Sequence, residues 1–159
     1  MTLSAPKMTQ TKNKLISLMI ADIAQRTFTD RTHQEYWITL LGIESGYENK
    51  ARSTTGAIGI GQLIASYRAD FGKDCGFTDA SRDDLDDVYV NASLSACFFR
   101  SLIIANDGAI PLALISYNQG LYSKDLHKAK NGASPSLEPS AFTTRAFVKH
   151  AQQADKDTK

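Results

Sequence analysis

The chain has 159 residues, 42% of them hydrophobic and 22% charged, enough to bury a core without metals or staples. Eighteen Lys plus Arg stand against seventeen Asp plus Glu, a net charge of +1, which argues against global disorder and against a broad basic surface for nucleic acid. The apolar run Leu15 to Ala24 is cut by Ser17 and Asp22, falls short of the ~18–20 residues of a membrane span, and lacks a small-x-small cleavage pattern. No membrane span and no signal peptide are therefore expected.

Hydrophobic spacing is helical almost throughout. Leu15, Leu18, Met19 and Ile23 predict a helix from Lys12 to Arg26, broken at Thr29-Asp30. A second helix opens on Thr32 and Glu35 in capping-box spacing, carries Tyr36, Trp37, Leu40 and Leu41 on its apolar face, and stops at Ser45-Gly46. Residues 45–62 read as a polar, glycine-punctuated loop, with room for a short strand or two between Ile58 and Leu63. Leu63 to Phe71 reads as a short helix and Gly72 to Ser81 as loop. Asp83, Asp84, Asp86 and Asp87 then open a long helix with Leu85, Val88, Ala92, Ala96, Phe99 and Ile103 apolar, ending near Gly108. Pro111 suits the first turn of a helix over Leu112 to Tyr117. A polar helix around Ser123 to Lys130, a Ser/Pro-rich link from Gly132 to Ser140, and a last helix from Ala141 to about Gln153 complete the chain. The expected organisation is a flexible N-terminus over 1–10, one mainly α domain over 11–153, and a flexible tail over 154–159.

Several constellations have plain structural explanations. The aspartates at 83–87 lack the glycine and terminal glutamate of a calcium loop, and they suit a helix N-terminus. Gly56, Gly59 and Gly61 do not complete a dinucleotide fingerprint, because Ile64 stands at its third glycine. His33, His127 and His150 are too scattered for a zinc site, and there is no GxSxG elbow. Lys124, His127, Lys128 and Lys130 form a solvated basic face, and the Asn91-Ala92-Ser93 sequon falls inside a helix. Cys75 and Cys97 are too few for a disulfide framework and lack CxxC spacing; two free buried thiols are expected, with one disulfide the alternative.

Glu44 stands apart. It follows Trp37, Leu40 and Leu41 by seven, four and three residues, so its carboxylate projects from the apolar face at the C-terminal end of its helix. Burial and the negative helix pole both disfavour ionisation, the conditions that turn a carboxyl group into a general acid near neutral pH.

Around Glu44 the sequence resembles the soluble lytic transglycosylase (SLT) family. Glu44-Ser45-Gly46-Tyr47, Ala51-Arg52-Ser53 and Gly56-Ala57-Ile58-Gly59-Ile60-Gly61-Gln62-Leu63 follow its E-S-x-F/Y and A-x-S-x-x-G-A-x-G-L-M-Q pattern. Ala113 to Gly120 resembles its A-L-x-A-Y-N-A-G, and Thr144 to Val148 its last helix. The departures are Gly61 for a methionine, expected to loosen that wall of the groove, Gln119 for a small residue, Leu121 for a proline, and Phe147 for a tyrosine.

The resemblance implies a goose-type lysozyme-like helical domain with a substrate cleft, cutting the β-1,4 bond between N-acetylmuramic acid and N-acetylglucosamine to leave 1,6-anhydromuramoyl ends. It makes Glu44 the single acid/base, with Ser53 bonding near it, Gln62 on sugar or N-acetyl groups, Tyr117 over the acid or the scissile bond, and Asn118 shaping that wall. It implies no metal or cofactor. Peptidoglycan glycan strands are the expected partner of a monomer acting in the periplasm or cell envelope. The absence of a visible signal suggests delivery by a phage virion or by a conjugation or secretion apparatus. The alternatives are a lysozyme-type hydrolase, a non-catalytic peptidoglycan-docking component, and a helical interaction module with no glycan role.

Overall fold

Apolar residues spaced by three and four commit most of this chain to helices that must bury one face. The computed structural model describes residues 5–64, Cys75 and residues 83–119. Over those residues the element order is α1 (Ala5–Thr27), α2 (Arg31–Ser45), β1 (Ala57–Ile58), β2 (Leu63–Ile64), a 3-10 turn (Asp83–Asp86), α3 (Val88–Ala105) and α4 (Ile110–Gln119). The mainly helical architecture read from the sequence is the one observed. The predicted helices at 123–130 and 141–153, the link between them and the Thr144–Val148 match lie outside the described residues.

Helix boundaries differ from the expectation where local chemistry overrules periodicity. α1 begins at Ala5, ahead of Lys12. α2 is capped by Asp30, whose side chain accepts from the Thr32 N–H at 2.7 Å, in place of the Thr32–Glu35 capping box. The segment 57–64 is a small antiparallel hairpin with Ala57 opposite Ile64 and Ile58 opposite Leu63, so Leu63 and Ile64 extend where a helix was predicted. Asp87, one of the clustered aspartates, caps α3 by accepting from the Val90 N–H at 3.0 Å. Asp86 instead pairs with Arg52 of the loop before the hairpin.

The core forms where α1, α2, α3 and α4 converge. Ile20, Ile23, Ala24, Phe28, Trp37, Leu40, Leu41, Ala92, Ala96, Phe99 and Leu114 are all buried in one cluster. Phe28 sets the turn between α1 and α2, its ring 6.1 Å from Trp37 and 6.2 Å from Phe99. A second cluster, Ile58, Leu63, Leu85 and Leu94, lies under the hairpin with Cys75, Val90, Phe98 and Tyr117 against it.

α3 serves both clusters. Ala92, Ala96, Phe99 and Ile103 face the first, and Leu94 with Val90 and Phe98 faces the second. Between these stripes runs a buried polar pair, Asn91 and Ser95, one helical turn apart. Contrary to the expectation that no segment has the length and apolarity of a membrane span, α3 has both, with a mean hydropathy of 1.5 over 18 residues. Its place between two apolar clusters accounts for that composition.

The two cysteines form a disulfide, Cys75–Cys97, with Cα atoms 5.9 Å apart, in place of the free thiols expected from their small number. The fold supplies what spacing lacked, because α3 presents Cys97 on the side of the second cluster, where Cys75 also packs. Closing a loop over a separation of 22 residues contributes about 3 kcal/mol through the unfolded chain. Reduction is therefore expected to lower Tm by roughly 6–12 °C. The same reductant should leave the Cys75→Ser/Cys97→Ser protein unmoved, as differential scanning fluorimetry will read.

Candidate active site

Glu44 occupies the last turn of α2, on the face that buries Trp37, Leu40 and Leu41. The helix ends immediately after it because Gly46 adopts a left-handed conformation, φ 62°, and returns its N–H to the Gly42 carbonyl at 2.8 Å. Tyr47 is also left-handed, φ 64°, and folds back over Gly42, where an added Cβ would meet its hydroxyl at 2.7 Å. The bare Gly42 surface thus admits the ring that closes the turn.

The hairpin is held by side chains from the loop after α2 and from α3. Asn49 accepts from the Ile60 N–H at 2.9 Å and donates to the Asp86 carbonyl at 2.7 Å. Asn91, fully buried in α3, accepts from the Gly61 N–H at 2.8 Å and donates to the carbonyls of Ile58 and Leu85 at 2.9 and 3.0 Å. These bonds demand close approach, and Gly59 and Gly61 provide it. An added Cβ would lie 2.1 Å from Asn91 Nδ2 at Gly59 and 2.5 Å from Ser95 Cβ at Gly61. The expectation that Gly61 loosens the wall is therefore corrected. The space a side chain would take is filled by Ser95, and Gly61 is buried.

Gln62 follows in a left-handed conformation, φ 50°, which its own amide stabilises by donating to the carbonyls of Ala51 at 3.1 Å and Gly59 at 2.9 Å. Both amide hydrogens point into the loop, so the side-chain oxygen is the atom left to meet a ligand. Ser53 is exposed, accepts from the Ala57 N–H at 2.9 Å and shares a hydrogen bond with Thr55 at 3.0 Å. Its described bonds shape the loop entering β1.

Tyr117 and Asn118 come from the last turn of α4. Tyr117 rests against Phe98 and Phe99, with ring centroids 5.3 and 6.2 Å away, and its hydroxyl donates to the Gly61 carbonyl at 2.6 Å. The Asn118 side chain is close enough to the Glu44 carboxyl to act on it as a donor, favouring its ionised form. The C-terminal ends of α2 and α4 therefore meet at one carboxyl group.

Burial is the largest influence on Glu44 and raises its pKa from 4.5 to about 7, against the opposing bond from Asn118. The negative poles of the two helix ends act in the same direction as burial. Burial likewise pushes the Tyr117 phenol above its ordinary range, and the Glu44 charge adds to this. The structure thus brings Glu44, Tyr117 and Asn118 together and places Gln62 one residue beyond Gly61, the acceptor of the Tyr117 hydroxyl. Among the described residues no cluster of His, Cys, Asp or Glu has the form of a metal site.

A family model described as the transglycosylase SLT domain matches residues 23–138. The chain belongs to this family. That stretch contains α2, the hairpin, α3 and α4, all the elements that build the Glu44 site. Members of the SLT family are peptidoglycan lytic transglycosylases. Comparison with curated proteins gives no match, nor does comparison with solved structures.

Reading the SLT site from sequence missed Asn49, Asn91 and Ser95. Asn91 and Ser95, one turn apart among the apolar residues of α3, were the available signal, and Asn91 drew attention only as a glycosylation sequon.

The raised Glu44 pKa carries a stability cost with a definite sign. Below pH 4.5 the carboxyl is protonated both folded and unfolded. Between 4.5 and about 7 the unfolded chain ionises first, so stability falls as pH rises and levels off above the folded value. Glu44→Gln is accordingly expected to exceed the natural protein in stability by about 2–3 kcal/mol near pH 8.5 and to match it near pH 4, by urea unfolding.

Proposed function

We propose that this SLT domain is a peptidoglycan lytic transglycosylase with Glu44 as its single acid/base. The observation that carries this reading is a half-buried carboxyl at the junction of two helix ends, with a pKa raised to about 7 and Asn118 as its hydrogen-bond donor. Near neutral pH such a group is protonated in a large fraction of molecules and becomes a competent base once it has given up its proton.

Protonated Glu44 donates to the glycosidic oxygen between N-acetylmuramic acid and N-acetylglucosamine, and that bond breaks with its electron pair leaving on oxygen. The 2-acetamido group of the muramoyl sugar stabilises the oxocarbenium-like centre, standing in for a second enzymic carboxylate. Ionised Glu44 then takes the proton of the muramoyl 6-hydroxyl as that oxygen attacks the anomeric carbon. The ring closes as a 1,6-anhydro end and Glu44 is restored to its acid form. Asn118 steadies the ionised carboxylate between the two transfers. Tyr117 forms the wall beside it, and the Gln62 side-chain oxygen accepts from an N–H or O–H of the glycan. Ser53 keeps the loop into the hairpin in shape. The reading places the protein at the cell envelope, where its peptidoglycan substrate lies, and it supports local opening of the wall.

Purified peptidoglycan incubated with the protein is expected to release anhydromuramoyl products, identified by mass spectrometry. Glu44→Gln should reduce that release by at least about 100-fold. Reducing-end products lost in the same variant would make the protein a hydrolase, and undiminished release would remove Glu44 from the chemistry. The alkaline limb of kcat/KM is expected near pH 7. Because the Asn118 bond favours the ionised carboxylate, Asn118→Ala should move that limb to higher pH.

A further inference from the structure

A serine buried inside an apolar helix needs partners, and Ser95 has them on two sides. The Trp37 indole N–H donates to Ser95 Oγ at 3.0 Å, Ser95 Oγ lies 2.8 Å from the Tyr117 hydroxyl, and that hydroxyl lies 2.6 Å from the Gly61 carbonyl. An indole nitrogen only donates and a carbonyl only accepts. The direction of the chain is thereby fixed: Trp37 to Ser95, Ser95 to Tyr117, Tyr117 to Gly61. Tyr117 has one proton, and it goes to Gly61. Three secondary-structure elements and the hairpin meet in this line, α2 through Trp37, α3 through Ser95 and α4 through Tyr117.

We propose that Ser95 is a positioning residue for the reaction: it fixes Tyr117 against Gly61 and commits the phenolic proton to the Gly61 carbonyl, leaving Asn118 as the donor to Glu44. The inference rests on the reading of Glu44 as the acid. A phenolic proton directed at Glu44 would favour the ionised carboxylate and weaken its power to protonate the glycosidic oxygen. Ser95 prevents this by occupying the Tyr117 oxygen as a donor, so the hydroxyl turns its own proton to the hairpin. Gly61 makes the arrangement possible, since any side chain there would collide with Ser95 Cβ.

The test uses Ser95→Ala, Ser95→Thr, Tyr117→Phe and the Ser95→Ala/Tyr117→Phe double variant on purified glycan strands. Ser95→Ala is expected to lower kcat roughly 10- to 100-fold through misplacement of Tyr117. KM should stay within about twofold, because the loss falls on the reaction more than on binding. Ser95→Thr, which keeps the hydroxyl, should recover most of the loss. In the Tyr117→Phe background Ser95→Ala should cost nothing further, since its effect passes through the phenol. Trp37 is the only tryptophan, so its indole proton gives one NMR resonance. That resonance should shift in folded Tyr117→Phe, where Ser95 loses its acceptor and turns.

A folded Ser95→Ala protein with unchanged kcat overturns the proposal, as does an equal loss with and without the Tyr117 hydroxyl. If Ser95→Ala does not fold, an indole proton unmoved by Tyr117→Phe overturns it alone. Product release surviving in Glu44→Gln would strike the functional reading instead, with the indole shift still deciding whether Ser95 and Tyr117 are coupled.

Discussion

The grip of Asn91 and Ser95 on the hairpin backbone is the contact on which the rest of the site depends. Asn91 satisfies the Gly61 N–H and the Ile58 carbonyl, while Ser95 reaches the Gly61 carbonyl through Tyr117. A two-residue pairing of strands is too small to stand alone, so its position comes from α3. α3 in turn is placed by the two apolar clusters on either side of its polar stripe. The same helix that completes the core therefore sets the hairpin to which Tyr117, the neighbour of Asn118, is bonded. A buried amide making three hydrogen bonds specifies one register for the hairpin, which apolar contact alone would leave free to slide.

Glu44 shows how such a scaffold is used. Its carboxyl is placed where folding would prefer a neutral group: on the apolar side of α2, at the negative ends of two helices, with one amide to hold it. A soluble helix end normally turns a glutamate toward water. Here Gly46 and Tyr47 end the helix within one turn of the carboxyl and fold the chain away from it. The penalty at alkaline pH belongs to the function the site is read to perform, a local instability tolerated because the two apolar clusters around α3 carry the fold.

Much of this was legible in the residues. The helical spacing of Trp37, Leu40, Leu41 and Glu44 locates the carboxyl on a buried face, and the ordered motif blocks name the family that the match over residues 23–138 shows. Pro111 and Gly46 mark element ends that the structure keeps. What sequence could not supply was long-range. The Asn49 and Asn91 bonds to the hairpin span 11 and 30 or more residues, and nothing local distinguishes such asparagines from surface ones. The disulfide depends on α3 turning Cys97 toward Cys75, a relation fixed by tertiary packing. Gly61 misleads for the same reason, since a missing side chain reads as a gap until the residue opposite is known.

That last pair has an evolutionary consequence. Gly61 and Ser95 share one volume, with 2.5 Å between an added Cβ and Ser95 Cβ. A lineage carrying a bulky residue at position 61 and one carrying Ser95 are therefore not joined by substitutions in arbitrary order. With these backbones in place, a path between the two arrangements has to empty one position before it fills the other. The two sites are coupled by exclusion, so the tolerance of either to change is a property of the pair.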